Sequence, residues 1–212
     1  MTILTIEQNQ TVQSYLKLAV RVLDRFGLEL IADANLDQFK ELYRSIPGSV
    51  RVPKTHDPSH SYCHPDNAFW IGFLPIGSER PIALCAHRVL DTEDLVSEMY
   101  THRLFSDIGP VVDAHEIGLQ EGLPRLAGRL GSNGGIVVAE DWRGRRLDGW
   151  PDLRLGGLIA RIAQSLSIRR FRIDFQYSFT QNSIKRRDLA AKGYGMLTAP
   201  WPPRGTLPLT RP

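Results

Sequence analysis

Cysteine is scarce in this chain: Cys63 and Cys85 are the only two among 212 residues. That excludes a disulfide framework and points to a reducing compartment. No uninterrupted apolar run approaches the ~20 residues that a membrane-spanning helix needs. The polar opening Thr5-Ile6-Glu7-Gln8-Asn9-Gln10 is unlike a secretory leader. A cytoplasmic protein with no membrane partner is therefore expected. Internal repeats and low-complexity segments are not evident, and the length suits one domain, residues 1–212, with a sizeable core.

Charge is present in both signs but unevenly placed. Residues 1–135 carry 12 Lys+Arg against 17 Asp+Glu, whereas residues 136–212 carry 14 against 6. The second part is thus expected to meet something anionic, a phosphorylated cofactor or a nucleic acid; a solvated face that balances the acidic part is the plainer alternative. Nucleic acid is disfavoured, because Arg169, Arg170, Arg172, Lys185, Arg186 and Arg187 lack the interleaved exposed aromatics that base stacking uses.

Val12, Leu16, Ala19, Val20, Leu23 and Phe26 recur at helical spacing before Gly27, predicting an N-terminal helix over residues 1–27. Leu28 to Ala32 read as a strand, and Leu36, Phe39, Leu42, Tyr43 and Ile46 as a second helix ended by Pro47-Gly48. Residues 47–66, rich in Pro, His, Ser and Asp, predict a long exposed loop. The runs 68–74 and 81–90 predict a central antiparallel hairpin. A helix is expected within 94–105 and a short one within 119–130, while the Pro-rich tail 198–212 argues against a central strand.

The most informative stretch is 135–195. A strand, Gly135-Ile136-Val137-Val138-Ala139, leads into Glu140-Asp141-Trp142-Arg143-Gly144-Arg145-Arg146 and then a helix with apolar face Leu155, Leu158, Ile159, Ile162 and Leu166. Pro151 suits a first helical turn. A second strand, Arg170 to Phe175, is followed by Asn182 and, twelve positions on, by Tyr194 of Gly193-Tyr194. This order resembles the acyl-CoA-binding half of the GNAT superfamily of N-acyltransferases. The resemblance implies a mixed, mostly antiparallel α/β sheet flanked by helices, with two parallel strands, 135–142 and 169–176, splayed at one end. It also implies acetyl-CoA or another acyl-CoA as co-substrate, an amine acceptor, and room for a homodimer.

In that family the turn after the first splayed strand follows a Q/R-x-x-G-x-G/A pattern; Asp141 to Arg146 keep only the first glycine and the basic character. On this basis Val137, Val138 and Ala139 would lie along the pantetheine, and Arg143, Gly144, Arg145 and Arg146 would hold the pyrophosphate, with Asn182 on the next turn. A second placement, at Leu155-Gly156-Gly157, stays open, as does the reading of those glycines as helix-packing residues. The tyrosine that many members use as acid is Leu189 here. Tyr177 is then the candidate acid, and Glu140, His87 and, after them, Asp174 the candidate bases; each has a structural alternative, such as a packed tyrosine or a satisfied sheet histidine. His56, His60, Cys63 and His64 match no metal-site spacing, and Pro58 and Pro65 break any helix that could align them, so no metal is expected. Besides an N-acyltransferase, the sequence admits a catalytically silent module of the same fold or a relative of the acyl-homoserine-lactone synthases.

Overall fold

The computed structural model of the chain describes residues 6–49, 51–100, 126–147, 150–177 and 209–210. Helix α1 (Ile6–Arg25) ends at Gly27, whose φ of 64° suits a residue without a side chain. Strand β1 (Leu28–Asp33) leads to α2 (Leu36–Ser45), capped by Asn35, whose side chain accepts from the amides of Asp37 and Gln38. Strands β2 (Ala68–Pro75) and β3 (Ala83–Thr92) form the expected hairpin, and α3 (Leu95–Tyr100) follows. Then come β4 (Gly128–Val138), a two-stranded ribbon of β5 (Arg146–Leu147) and β6 (Trp150–Arg154), α4 (Leu155–Phe171), β7 (Phe175–Tyr177) and β8 (Leu209–Thr210).

The main sheet has the order β1-β2-β3-β4-β7-β8. All neighbours are antiparallel except β4 and β7, which are joined through α4 and run parallel. The mixed, mostly antiparallel sheet flanked by helices is the expected fold class. The β4–β7 register spans Leu130–Ser132 against Phe175–Tyr177. The divergence expected beyond that point falls outside the described residues, as do Asn182 and Tyr194.

Each face of the sheet carries its own apolar layer. On one, α1 and α4 pack Leu23, Ile159 and Ile162 against Ile71, Phe73 and Cys85. On the other, α2 packs Phe39 and Tyr43 with Val52 and Cys63 against Trp70, Leu84 and Val137. The segment 51–67 is therefore not an exposed loop: Val52, His56, Asp57, Ser61 and Cys63 are all buried. Its prolines and polar residues describe a loop that folds back onto the sheet.

Three further expectations are corrected. The first parallel strand starts at Gly128, not at 135, which also removes the end of the helix expected over 119–130. Its glycines conceal it: a Cβ at Gly131 would meet Ile173 and Gln176, and one at Gly135 would meet the Phe39 ring at 2.7 Å. The second parallel strand starts only at Phe175, because α4 continues through Arg169 and Arg170, cations suited to a helix C-terminus. Pro151 sits in β6, and α4 begins after Arg154.

Candidate functional site

Strand β4 changes character partway along. Its register with β3 shifts between Ala86↔Gly134 and Leu84↔Val137, so β4 holds one extra residue, a bulge at Gly135, whose φ is 58°. From Asn133 to Val138, β3 covers one edge of β4. Among the described residues no strand covers the other edge past Ser132. This open edge runs toward the N-terminus of α4, where a Cβ on Gly156 would lie 3.8 Å from Val138 Cγ2. Arg154, the N-cap, makes no side-chain capping bond. The first-turn amides of α4 thus stand at the end of the open edge, with the positive end of the helix dipole.

The turn expected to cradle a pyrophosphate is occupied with itself. The amides of Trp142, Arg143 and Arg145 donate to the carbonyls of Ala139, Glu140 and Trp142. The Arg143 guanidinium donates to Val138 O and Gly48 O, each at 2.8 Å, and lies 3.6 Å from Glu140 Oε1. Arg145 donates to Asp141 O and stacks over the Trp142 ring at 4.4 Å. Gly144 has φ 77°, which the turn itself requires. Among the described residues the amides of Leu155, Gly156 and Gly157 donate to no backbone carbonyl outside their helix, so of the two phosphate placements the α4 N-terminus is the less occupied. Val137 and Ala139 are buried and Val138 half-buried, consistent with a wall and not with a loop.

Consecutive residues of β3 point to opposite faces. His87, with no exposure, faces the α4 layer; it lies 5.2 Å from the Phe69 ring and hydrogen-bonds through Nδ1 to Asn133 Oδ1. Asn133 Nδ2 in turn donates to Ala160 O at 3.0 Å, which assigns Nδ1–H to the histidine. Burial pulls the His87 pKa down to about 4, with the Asn133 bond acting weakly against it. His87 is a neutral sheet histidine that ties β3 to β4 and, through Asn133, to α4.

Arg88 faces the other way and is 3% exposed. Burial works against its charge, yet the Tyr177 hydroxyl and the Cys63 thiol beside it more than offset this and hold its pKa above the usual range. Ser132, paired with both Arg88 and Tyr177, shares that face. So does His56, whose Nε2 bonds Ser132 O at 3.2 Å and whose Nδ1 bonds Thr55 Oγ1 at 2.9 Å. Both ring nitrogens are thereby engaged. Cys63 Sγ lies 3.0 Å from Ser61 Oγ, and burial pushes its thiol pKa up. Among the described residues no group of three His, Cys, Asp or Glu is arranged as metal ligands.

The three candidate catalytic residues are thus not gathered at one point. Glu140 is exposed beside Arg143, His87 lies under α4, and Tyr177 lies buried against Arg88 on the opposite face. Asp174 is near the far end of β4, accepting from the Arg129 amide at 2.9 Å. Sequence reasoning missed Arg88, Asn133 and Glu98. A charge inside the apolar run Ala83–Leu90 was the available signal for Arg88; nothing in the sequence marked Asn133 or Glu98.

No helix among the described residues is long and apolar enough to cross a membrane. No protein-family model matches the sequence, and no curated protein matches it. A comparison of structures finds a GCN5-related N-acetyltransferase from Ralstonia eutropha JMP134, 16% identical, with 84% of this chain and 98% of that chain covered at a TM-score of 0.39.

Proposed function

We propose that the chain is an acyl-CoA-dependent N-acyltransferase, transferring an acyl group, acetyl in the first instance, to an amine by direct attack on the thioester. One observation carries the proposal: among the described residues no strand covers the outer edge of β4 from Asn133 to Val138, and that edge leads to the N-terminus of α4, where Arg154 makes no side-chain capping bond. An extended pantetheine arm needs a strand edge for its amides, and a pyrophosphate needs unspent N–H groups and a positive dipole. The basic balance of residues 136–212 agrees with an anionic ligand. Val137, Val138 and Ala139 line the arm, and the phosphates lie on Leu155, Gly156 and Gly157, with Arg154 and Arg145 at hand. Calorimetric titration with acetyl-CoA tests the reading, and absence of binding overturns it.

A second reading is favoured by the separation of Glu140, His87 and Tyr177: a silent module that binds acyl-CoA without turning it over. Release of free CoA thiol in the presence of an amine separates the two.

A further inference from the structure

Arg143 joins the end of β4 to the residues that follow α2. Its Nε–H donates to Val138 O and its Nη2–H to Gly48 O, each at 2.8 Å. Ala83 stands opposite Val138, while the Ala139 amide donates to Ile82 O at 2.8 Å, so Ala83 and Val138 are a non-hydrogen-bonded pair. The N–H and C=O of Val138 therefore point away from β3, toward the outer edge. Resting on the acyl-transfer reading above, we propose that Arg143 is a latch on that edge: it holds the Val138 carbonyl while acyl-CoA is absent, the acyl-CoA arm displaces it, and its release frees Gly48.

An arm laid along β4 as an added strand needs an outward carbonyl to accept its amide N–H, and within Val137 to Ala139 that carbonyl is the one on Val138. A guanidinium reaching from Val138 O to Gly48 O stands across the approach. The latch is held loosely enough to open: the Arg143 and Glu140 side chains, 3.6 Å apart, are 47% and 67% exposed, so water can take over their contacts at small cost. Its other end is fitted to the backbone. Gly48 has φ 74°, and a Cβ there would overlap the Glu140 carboxylate, so only a glycine lets the Arg143–Glu140 pair lie against this peptide. Gly48 follows α2 and precedes the segment that brings Val52 and Cys63 into the apolar layer opposite α4. Filling the edge and loosening the start of that segment are thereby coupled, and the coupling is reciprocal.

The test compares wild type with Arg143→Met by calorimetry, using acetyl-CoA and, separately, the phosphoadenosine diphosphate half of CoA, which has no arm. Losing a cation near phosphates weakens binding, whereas losing a latch strengthens it. Acetyl-CoA should bind Arg143→Met at least about threefold more tightly, the scale of one net hydrogen bond, and the nucleotide half should bind it no more tightly than wild type. In the ¹⁵N-labelled wild-type chain, saturating acetyl-CoA should speed hydrogen exchange of the Ser49 amide, which shares a peptide unit with Gly48 O and donates to Ile46 O at 3.0 Å. That measurement needs no variant and decides alone if Arg143→Met fails to fold. Equal or weaker acetyl-CoA binding by the variant, an equal gain for the nucleotide half, or unchanged Ser49 exchange in wild type overturns the latch and leaves the transferase reading standing. Acetyl-CoA binding to neither protein removes both.

Discussion

The His56 imidazole lies so close above Gly134 that a Cβ on that glycine would overlap ring atoms Cε1 and Nδ1. The contact joins the folded-back loop to β4 and explains why a strand interior tolerates a glycine there. Gly134→Ala should destabilise the chain by about 2 kcal/mol, the scale of an overpacked core. Pairing it with His56→Ala should return part of that loss. Urea unfolding of the four proteins measures the coupling, and strict additivity would mean the contact is not formed.

Stability should fall on acidification earlier than carboxylates alone would cause. Burial, reinforced by the Arg88 charge, pulls the His56 pKa down to about 3, and burial pulls His87 to about 4. Both groups stay neutral when folded but take up a proton near 6.5 when unfolded. Their contribution is therefore complete above pH 6.5 and is lost as pH falls from there toward 4 and 3, at about 1.4 kcal/mol per pH unit for each. Urea midpoints from pH 7.5 to 4.5 should show this slope, and His87→Gln should roughly halve it. A flat profile down to pH 5 would contradict the burial of both rings.

Acyl-CoA affinity should depend on Gly156 more than on Gly144. Gly156→Asp places a carboxylate in the first turn of α4, where the dipole favours it by about 0.3–1 kcal/mol, and the nearest atom to the new Cβ is 3.8 Å away. The protein should therefore melt no lower than wild type, yet bind CoA at least about tenfold more weakly through repulsion of the phosphates, with the deficit shrinking at high salt. Unchanged affinity in calorimetry would move the phosphates away from α4.

Arg172 is the only non-glycine residue with positive φ among those described, at 56°, and it ends α4. A left-handed cap favours glycine. Because Arg172 is exposed, Arg172→Gly should stabilise the chain by about 0.5–1 kcal/mol after the entropic cost of glycine is counted. A lower urea midpoint would show that the arginine side chain makes a contact worth more than the strain.

What the sequence disclosed followed local periodicity. Helices α1 and α2 and the β2–β3 hairpin carry their patterns in side chains of ordinary size. Strand β4 did not, because Gly131, Gly134 and Gly135 are dictated by Ile173, His56 and Phe39, residues 42 to 96 positions away in either direction. The 51–67 segment was misjudged for a related reason: His56, Asp57 and Ser61 are polar yet buried, since Ser132 O, Lys40 and the loop's own carbonyls satisfy them. At the candidate site, Val137 to Ala139 and Gly156 were legible as a strand-to-helix passage. Which amides remained unspent depended on how the turn after Ala139 closed, and no residue type announces that.

Strand β8 lies outside β7, pairing Thr210 with Gln176 and Leu209 with Tyr177. It acts as a cover for a sheet margin. Without it, the outward backbone groups of β7, which carries the phenol held by Arg88, would be left as a template for strand addition by a neighbouring molecule. Removing residues 209–210 should therefore register first as self-association at high protein concentration, before any change in ligand binding, and light scattering would detect it.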